Sequence, residues 1–176
     1  MRTAAETKLG RFIEQLPARD GGVWITGANG VARIPGAARG IKADTVWNEF
    51  PVDPTSGLHE IQHPLEDEEG GLTAVAEQGG DASRVLVHFI GGRWHVQALP
   101  GDNLREAWKG LDDTYWAATI NAFFQIVDGR TNSADYEPMI RGQIRDMAVE
   151  TNGVFWLAPS EGLYRSRPHP WRTTVR

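Results

Sequence analysis

Residues 84–99 read RVLVHFIGGRWHVQAL, two runs rich in Val, Phe, Ile and Trp joined by Gly91-Gly92. Glycine adopts the positive φ that a two-residue hairpin turn demands, and branched and aromatic side chains suit a pleated surface. This stretch therefore commits part of the chain to antiparallel sheet. Two more hairpins follow from the same chemistry. Val23-Trp24-Ile25-Thr26 and Val31-Ala32-Arg33-Ile34 flank "GANG", and "VFWLAPSEGLYRS" closes on itself around "APSEG" over about 153–166. "TVWNEFPV" is also β-rich, and "DPTSG" after it is a turn signal.

Helical spacing supplies the other elements. Ala5, Leu9, Phe12, Ile13 and Leu16 predict a first helix over 3–16, ended by Pro17. Past Pro100 the period lengthens. Asp102 or Asn103 caps a helix to about Lys109, and Asp113 or Thr114 caps "YWAATINAFFQIV", which is apolar nearly all round and so placed at the centre of the core. Tyr136, Met139, Ile140, Ile144 and Met147 form one stripe of a third helix, 134–151, stopped at Asn152-Gly153. The expected fold is α+β: an antiparallel sheet of hairpins over about 22–99, covered by an N-terminal helix and a C-terminal helical bundle. With 176 residues the expectation is a single domain, 1–166, with a hairpin-rich part (1–100), a helical part that ends in a hairpin (101–166), and a basic extended tail, 167–176. "GVWITGANGVARI" and "GVFWLAPSEGLYRS" echo each other, each an aromatic strand, a Gly-bearing turn and an x-Arg strand; the match is too short to be read as a duplication.

Several function classes drop out. There is no Cys, so disulfides, thiolate metal sites and Cys nucleophiles are excluded. No apolar run approaches the roughly 20 residues of a membrane span, and the N-terminus lacks a secretory core, so no membrane contact and a cytoplasmic location are expected, inside a host cell if the gene is phage- or mobile-element-borne. Acids accumulate between Lys42 and Arg84, where no Lys or Arg occurs, while residues 164–176 hold four Arg and no acid. That polarity argues against nucleic-acid binding by the whole surface. "EDEEGG" lacks the ligand spacing of a Ca²⁺ loop and reads as a solvated turn. His88 and His95 stand where they can face each other across the Gly91-Gly92 hairpin. No P-loop, G-x-G-x-x-G or G-x-S-x-G is present.

One pentad points to particular chemistry: His59-Glu60-Ile61-Gln62-His63. On a helix, two His four residues apart share a face and can hold zinc, with the glutamate as base for the bound water. The pentad resembles the signature of the zincin metallopeptidases, over these five residues alone. The resemblance implies His59 and His63 as metal ligands and Glu60 as catalytic base. Pro64 opposes it, because proline has no N–H for the Glu60 carbonyl and biases His63 away from α geometry. The competing reading makes "LHEIQH" the return strand of a hairpin with "VWNEFPV", which turns Glu60 to the other face from the histidines.

The function expected from these residues is non-catalytic: a binding, adaptor or assembly protein with no cofactor. It would act through the third helix with Arg141 and Arg145, the last hairpin with Arg165, and a tail carrying Arg167, Trp171 and Arg172, Arg and Trp being frequent interface anchors. The tail would dock on a partner protein or on the acidic 44–81 region of a second copy. The alternative is a zinc-dependent hydrolase using His59, Glu60 and His63. A further alternative is a nucleic-acid binder, because two helices, a third with Arg141 and Arg145, and a hairpin are similar in order to a winged helix-turn-helix.

Overall fold

The computed structural model describes residues 2–36, 38–42, 44–81, 83–99, 104–111, 114–119, 122–127, 129–133, 143–152 and 154–166. These residues form four sheets, each a meander in which every strand pairs antiparallel with the next in sequence. Sheet 1 holds β1 (Phe12–Pro17), β2 (Val23–Gly27), β3 (Gly30–Ile34) and β4 (Asn48–Pro51). Sheet 2 holds β5 (Leu58–Glu66), β6 (Leu72–Gln78), β7 (Ser83–Ile90) and β8 (Arg93–Gln97). Sheet 3 holds β9 (Glu106–Lys109), β10 (Tyr115–Ala118), β11 (Phe123–Val127) and β12 (Arg130–Ser133). Sheet 4 holds β13 (Ile144–Val149), β14 (Phe155–Pro159) and β15 (Tyr164–Ser166).

Local chemistry fixes the turns. Gly91 and Gly92 have φ of 57° and 81°, the left-handed values that a two-residue hairpin needs. Where the first strand of a sheet hands over to the second, a side-chain oxygen repeatedly caps the turn. Asp20 accepts from the Gly22 N–H at 3.0 Å, Asp67 from the Gly71 N–H at 2.7 Å, and Asn152 from the Val154 N–H at 2.9 Å. The Gly22 amide and then the Arg33 guanidinium hold the Asp20 carboxyl below the usual carboxylate range.

Packing sets the larger architecture. Aromatic and aliphatic bulk is shared out between three interfaces rather than pooled in one core: Trp24 and Val31 of sheet 1 pack on Ile61, Leu72 and Phe89 of sheet 2. Val75 and Leu86 of sheet 2 meet Ala107, Tyr115 and Ile126 of sheet 3. Trp116 and Phe123 of sheet 3 meet Met147, Phe155 and Leu157 of sheet 4. Neighbours along one strand serve opposite interfaces, Tyr115 and Ala117 one side of sheet 3, Trp116 and Ala118 the other. The first strands β1, β5, β9 and β13 contact one another in succession, so each sheet turns its first strand inward and its last outward. This is the blade arrangement of a β-propeller-like fold.

The α+β expectation is overturned: among the described residues there is no α-helix. Residues 3–16 form a single 3-10 turn, Ala4–Glu6, and then β1. The end of the helix expected to reach Lys109 is β9, its cap candidates Asp102 and Asn103 lying outside the described residues, as does Asp113. Tyr115–Ala118 and Phe123–Val127 of "YWAATINAFFQIV" pair as β10 and β11, with the Ala122 N–H on the Thr119 hydroxyl at 3.1 Å between them. Of the expected third helix, 144–149 is β13, and 134–142 lie outside the described residues. For β10 and β11 the cause is burial on both faces. Such strands lose the polar alternation that marks a half-buried strand and present unbroken apolar runs. The three expected hairpins form, but in three different sheets, so 22–99 is not one sheet and no helical bundle covers it. β4 and β5 are both strands, yet β4 pairs with β3 and β5 with β6.

The sequence echo acquires a structural meaning. Its two members are β2–β3 of sheet 1 and β14–β15 of sheet 4, each preceded by a strand rather than a helix. Trp24 lies opposite Arg33, and Trp156 opposite Arg165, with the guanidinium 5.2 and 5.3 Å from the indole ring. No helix among the described residues is long and apolar enough to cross a membrane.

Trp116 stacks on Phe123 at 4.9 Å and touches the Phe155 ring at 5.4 Å. Trp116→Ala should therefore lower unfolding free energy by about 3–5 kcal/mol in urea denaturation. The parent chain should give a far-ultraviolet circular dichroism spectrum of β type without the helical double minimum.

Candidate functional site

β5 is irregular in a specific way. His59 pairs with Glu77, Gln62 with Val75 and Leu65 with Thr73, so three residues of β5 twice span two of β6. The extra residue is taken up at bulges, and two non-glycine residues there have left-handed φ: Glu60 and His63, both at 51°. Pro64 helps to place the second bulge, since it has no N–H to offer a ladder and sits where pairing is broken. Each bulge directs an N–H out of sheet 2, and sheet 1 supplies the acceptor. The Glu60 N–H donates to the Ala28 carbonyl at 2.8 Å, and the His63 N–H to the Glu14 carboxylate at 3.2 Å.

The His63 imidazole is thereby held between three inner strands. Its Nδ1 lies 3.7 Å from Glu14 Oε1 of β1 and 3.4 Å from Glu106 Oε1 of β9. The side chains of His63, Glu14 and Glu106 keep 37%, 36% and 22% of their surface exposed, so the cluster is sheltered yet reached by solvent. Burial pushes the Glu106 carboxyl above its ordinary range; the Glu14 carboxylate adds to this, while His63, the Ala107 amide and Arg84 oppose it. Alternation along β9 explains the placement: Ala107 goes into the sheet 2–sheet 3 core, which turns Glu106 the other way. The inner strands carry further polar links, Glu60 with Arg11, Lys109 Nζ on the Glu66 carbonyl at 3.0 Å, and Trp108 Nε1 on Asp146 at 3.2 Å.

The residues expected to act as a zinc centre are not brought together. His59 Nδ1 lies 3.1 Å from the Gly57 carbonyl, and its Nε2 lies 3.4 Å from the cross-strand Glu77. Glu60 pairs with Arg11, and only His63 joins the cluster. Among the described residues no three His, Asp or Glu side chains are arranged to hold a metal ion, which corrects the possible metal binding that the zinc alternative carried. The two bulges are the physical reason: they break the alternation that would put both imidazoles on one face of a regular strand, and no helix is present to do so instead. Arg145 is exposed on β13. Arg165, on β15 beyond the intervening β14, stacks on Trp156 and pairs with Glu150 at 3.6 Å. Arg141, Arg167, Trp171 and Arg172 lie outside the described residues.

Glu14 and Glu106 were missed. Both fall in segments whose spacing predicts helix, and each is an isolated acid in sequence. Recognising four repeated strand meanders would have aligned β1, β5 and β9 as inner strands and brought these acids level with His63.

Neither a protein-family model nor any curated protein sequence matches the chain. Solved structures do. Virginiamycin B lyase from Staphylococcus aureus superposes with a TM-score of 0.59 at 16% identity, over 90% of this chain and 56% of the lyase. The extracellular domain of a protein described as a hybrid two-component system of B. thetaiotaomicron gives 0.65 at 14% identity, over 93% of this chain and 22% of that one. A protein described as a gluconolactonase gives 0.61 at 12%, over 89% and 60%. At these identities the likeness shows the fold alone. The chain spans little more than half of the lyase and about a fifth of the extracellular domain.

The raised Glu106 value has a thermodynamic sign. Between the unfolded and folded values the native state holds more protons, so stability falls as pH rises through that interval. Glu106→Gln should remove this fall, matching the parent at acid pH and exceeding it in melting temperature at neutral pH. Parallel thermal melts across pH check the difference.

Proposed function

We propose that the chain binds a small molecule beside the inner strands of sheets 1–3 and performs acid–base chemistry on it through His63 and Glu106. The observation that carries this reading is the meeting of one ionisable side chain from each of three successive sheets, at a histidine whose backbone is held in a left-handed bulge. Unfavourable backbone conformations persist where surrounding structure enforces them, and they concentrate at functional sites. The Glu14 carboxylate beside Nδ1 favours the tautomer with its proton there, which leaves Nε2 as the basic nitrogen. Glu106, biased toward its protonated form by burial, is suited to return a proton. Glu14 orients the imidazole and receives the His63 amide.

The structural neighbours support the reading at the level of chemistry class only, one being a lyase and another described as a gluconolactonase. Virginiamycin B and gluconolactone are accordingly the first probe substrates. With whichever is turned over, His63→Ala and Glu106→Gln should each reduce kcat about 10²- to 10⁴-fold, the usual contribution of a positioned acid or base. Parent-like turnover by folded His63→Ala would sink the proposal.

The non-catalytic adaptor role is the second reading. It no longer has a third helix to act through over 144–149, but Arg145 remains exposed and the Trp156–Arg165 pair lies on the last sheet. Pull-down by the parent chain that is lost in Arg145→Ala/Arg165→Ala, with His63→Ala unaffected, would favour it. A cytoplasmic site of action is part of either proposal; the fold itself also occurs in extracellular domains.

A further inference from the structure

A cleft of about 370 Å³ opens between sheets 2 and 3 and shares no lining residue with the His63 cluster. Its size falls within the range of small-molecule pockets. Two carboxylates stand at the turn after β5, Asp67 and Glu69; Ile90 and Ile126 form apolar wall, and His88 and Tyr115 supply rings. No Lys or Arg lines it among the described residues. Ile90 keeps 51% of its surface exposed, a large aliphatic side chain left in water beside two acids. Both turn amides, from Glu69 and Gly71, go to Asp67 Oδ1, and Oδ2 takes neither of them.

The interior of the cleft is preorganised. Thr73, 1% exposed, holds His88 Nδ1 at 2.8 Å from its hydroxyl, which leaves Nε2 for another partner. The Tyr115 ring meets the imidazole edge-on at 5.9 Å. Burial keeps His88 below the usual histidine range, with Asp67 opposing, so the ring is neutral at neutral pH and does not offset the carboxylates.

We propose that this cleft binds a small organic cation, an amine joined to a flat apolar group. The ammonium sits at Asp67 and Glu69, where charge-assisted hydrogen bonds form. The flat group lies between Ile90, Ile126 and the Tyr115 ring, and His88 Nε2 reaches a polar substituent on it. This site stands independently of the acid–base reading.

The full chain is titrated by calorimetry and by nuclear magnetic resonance with tyramine, and with 3-(4-hydroxyphenyl)propionate, which has the same ring and the opposite charge. Tyramine should bind and shift the His88 and Tyr115 ring resonances, while the acid should not. Asp67→Asn/Glu69→Gln, in which Asn keeps the turn's acceptor oxygen, should weaken tyramine binding about tenfold or more. Should that pair destabilise the turn, Glu69→Gln alone, at an exposed position, reads out the same charge. Ile90→Ser should weaken binding, and His63→Ala should leave it unchanged. Equal binding of both probes, no binding of tyramine, undiminished affinity in folded Glu69→Gln, or loss of binding in His63→Ala would each overturn the proposal.

Discussion

Burial of both faces of a sheet is the constraint from which the molecule is built. A meander with two apolar faces cannot cover either by itself, so sheets 2 and 3 need a neighbour on both sides and sheets 1 and 4 each cover one of them. The chain meets this by sending successive residues of one strand to opposite interfaces, as Tyr115 and Trp116 do on β10. The polar links between β1, β5, β9 and β13 then lie at the inner edge, where the sheets converge and side chains from different sheets come within reach of one another.

That convergence accounts for the chemistry of the cluster. A single sheet would place His63 among its own neighbours in pairs. Three sheets place two carboxyl groups beside one imidazole nitrogen, and burial raises the proton affinity of one of them, Glu106. The left-handed backbone at His63 does not cost a hydrogen bond, because the amide it turns out of the ladder finds Glu14. Strain in one sheet is thus compensated by an acceptor in the next.

Legibility in the sequence follows from how local each feature is. The hairpins at "GANG", Gly91-Gly92 and "APSEG" were readable, because positive-φ turn residues and flanking β-formers lie within a few positions of each other. Pro64 was readable as an obstacle to a helical zinc site for the same reason. The strands of sheet 3 were not. "YWAA" and "FFQIV" bury both faces, which erases the period of two, and the Thr119 turn between them lacks Gly or Pro. Glu14 and Glu106 could not be paired with His63 from local pattern at all, since only the stacking of sheets brings them together. The Trp24–Arg33 and Trp156–Arg165 pairs were visible as an echo, and their register shows why: the same cross-strand contact is made at the same place in two sheets.

The meander has a kinetic consequence. Among the described residues every ladder joins strands adjacent along the chain, so within a sheet pairing needs no distant segment and its loop-closure entropy stays small. Such a topology permits assembly to begin in any one hairpin and spread sheet by sheet. An all-β chain of this kind escapes much of the slowness that long-range strand exchange imposes on sandwiches and Greek keys.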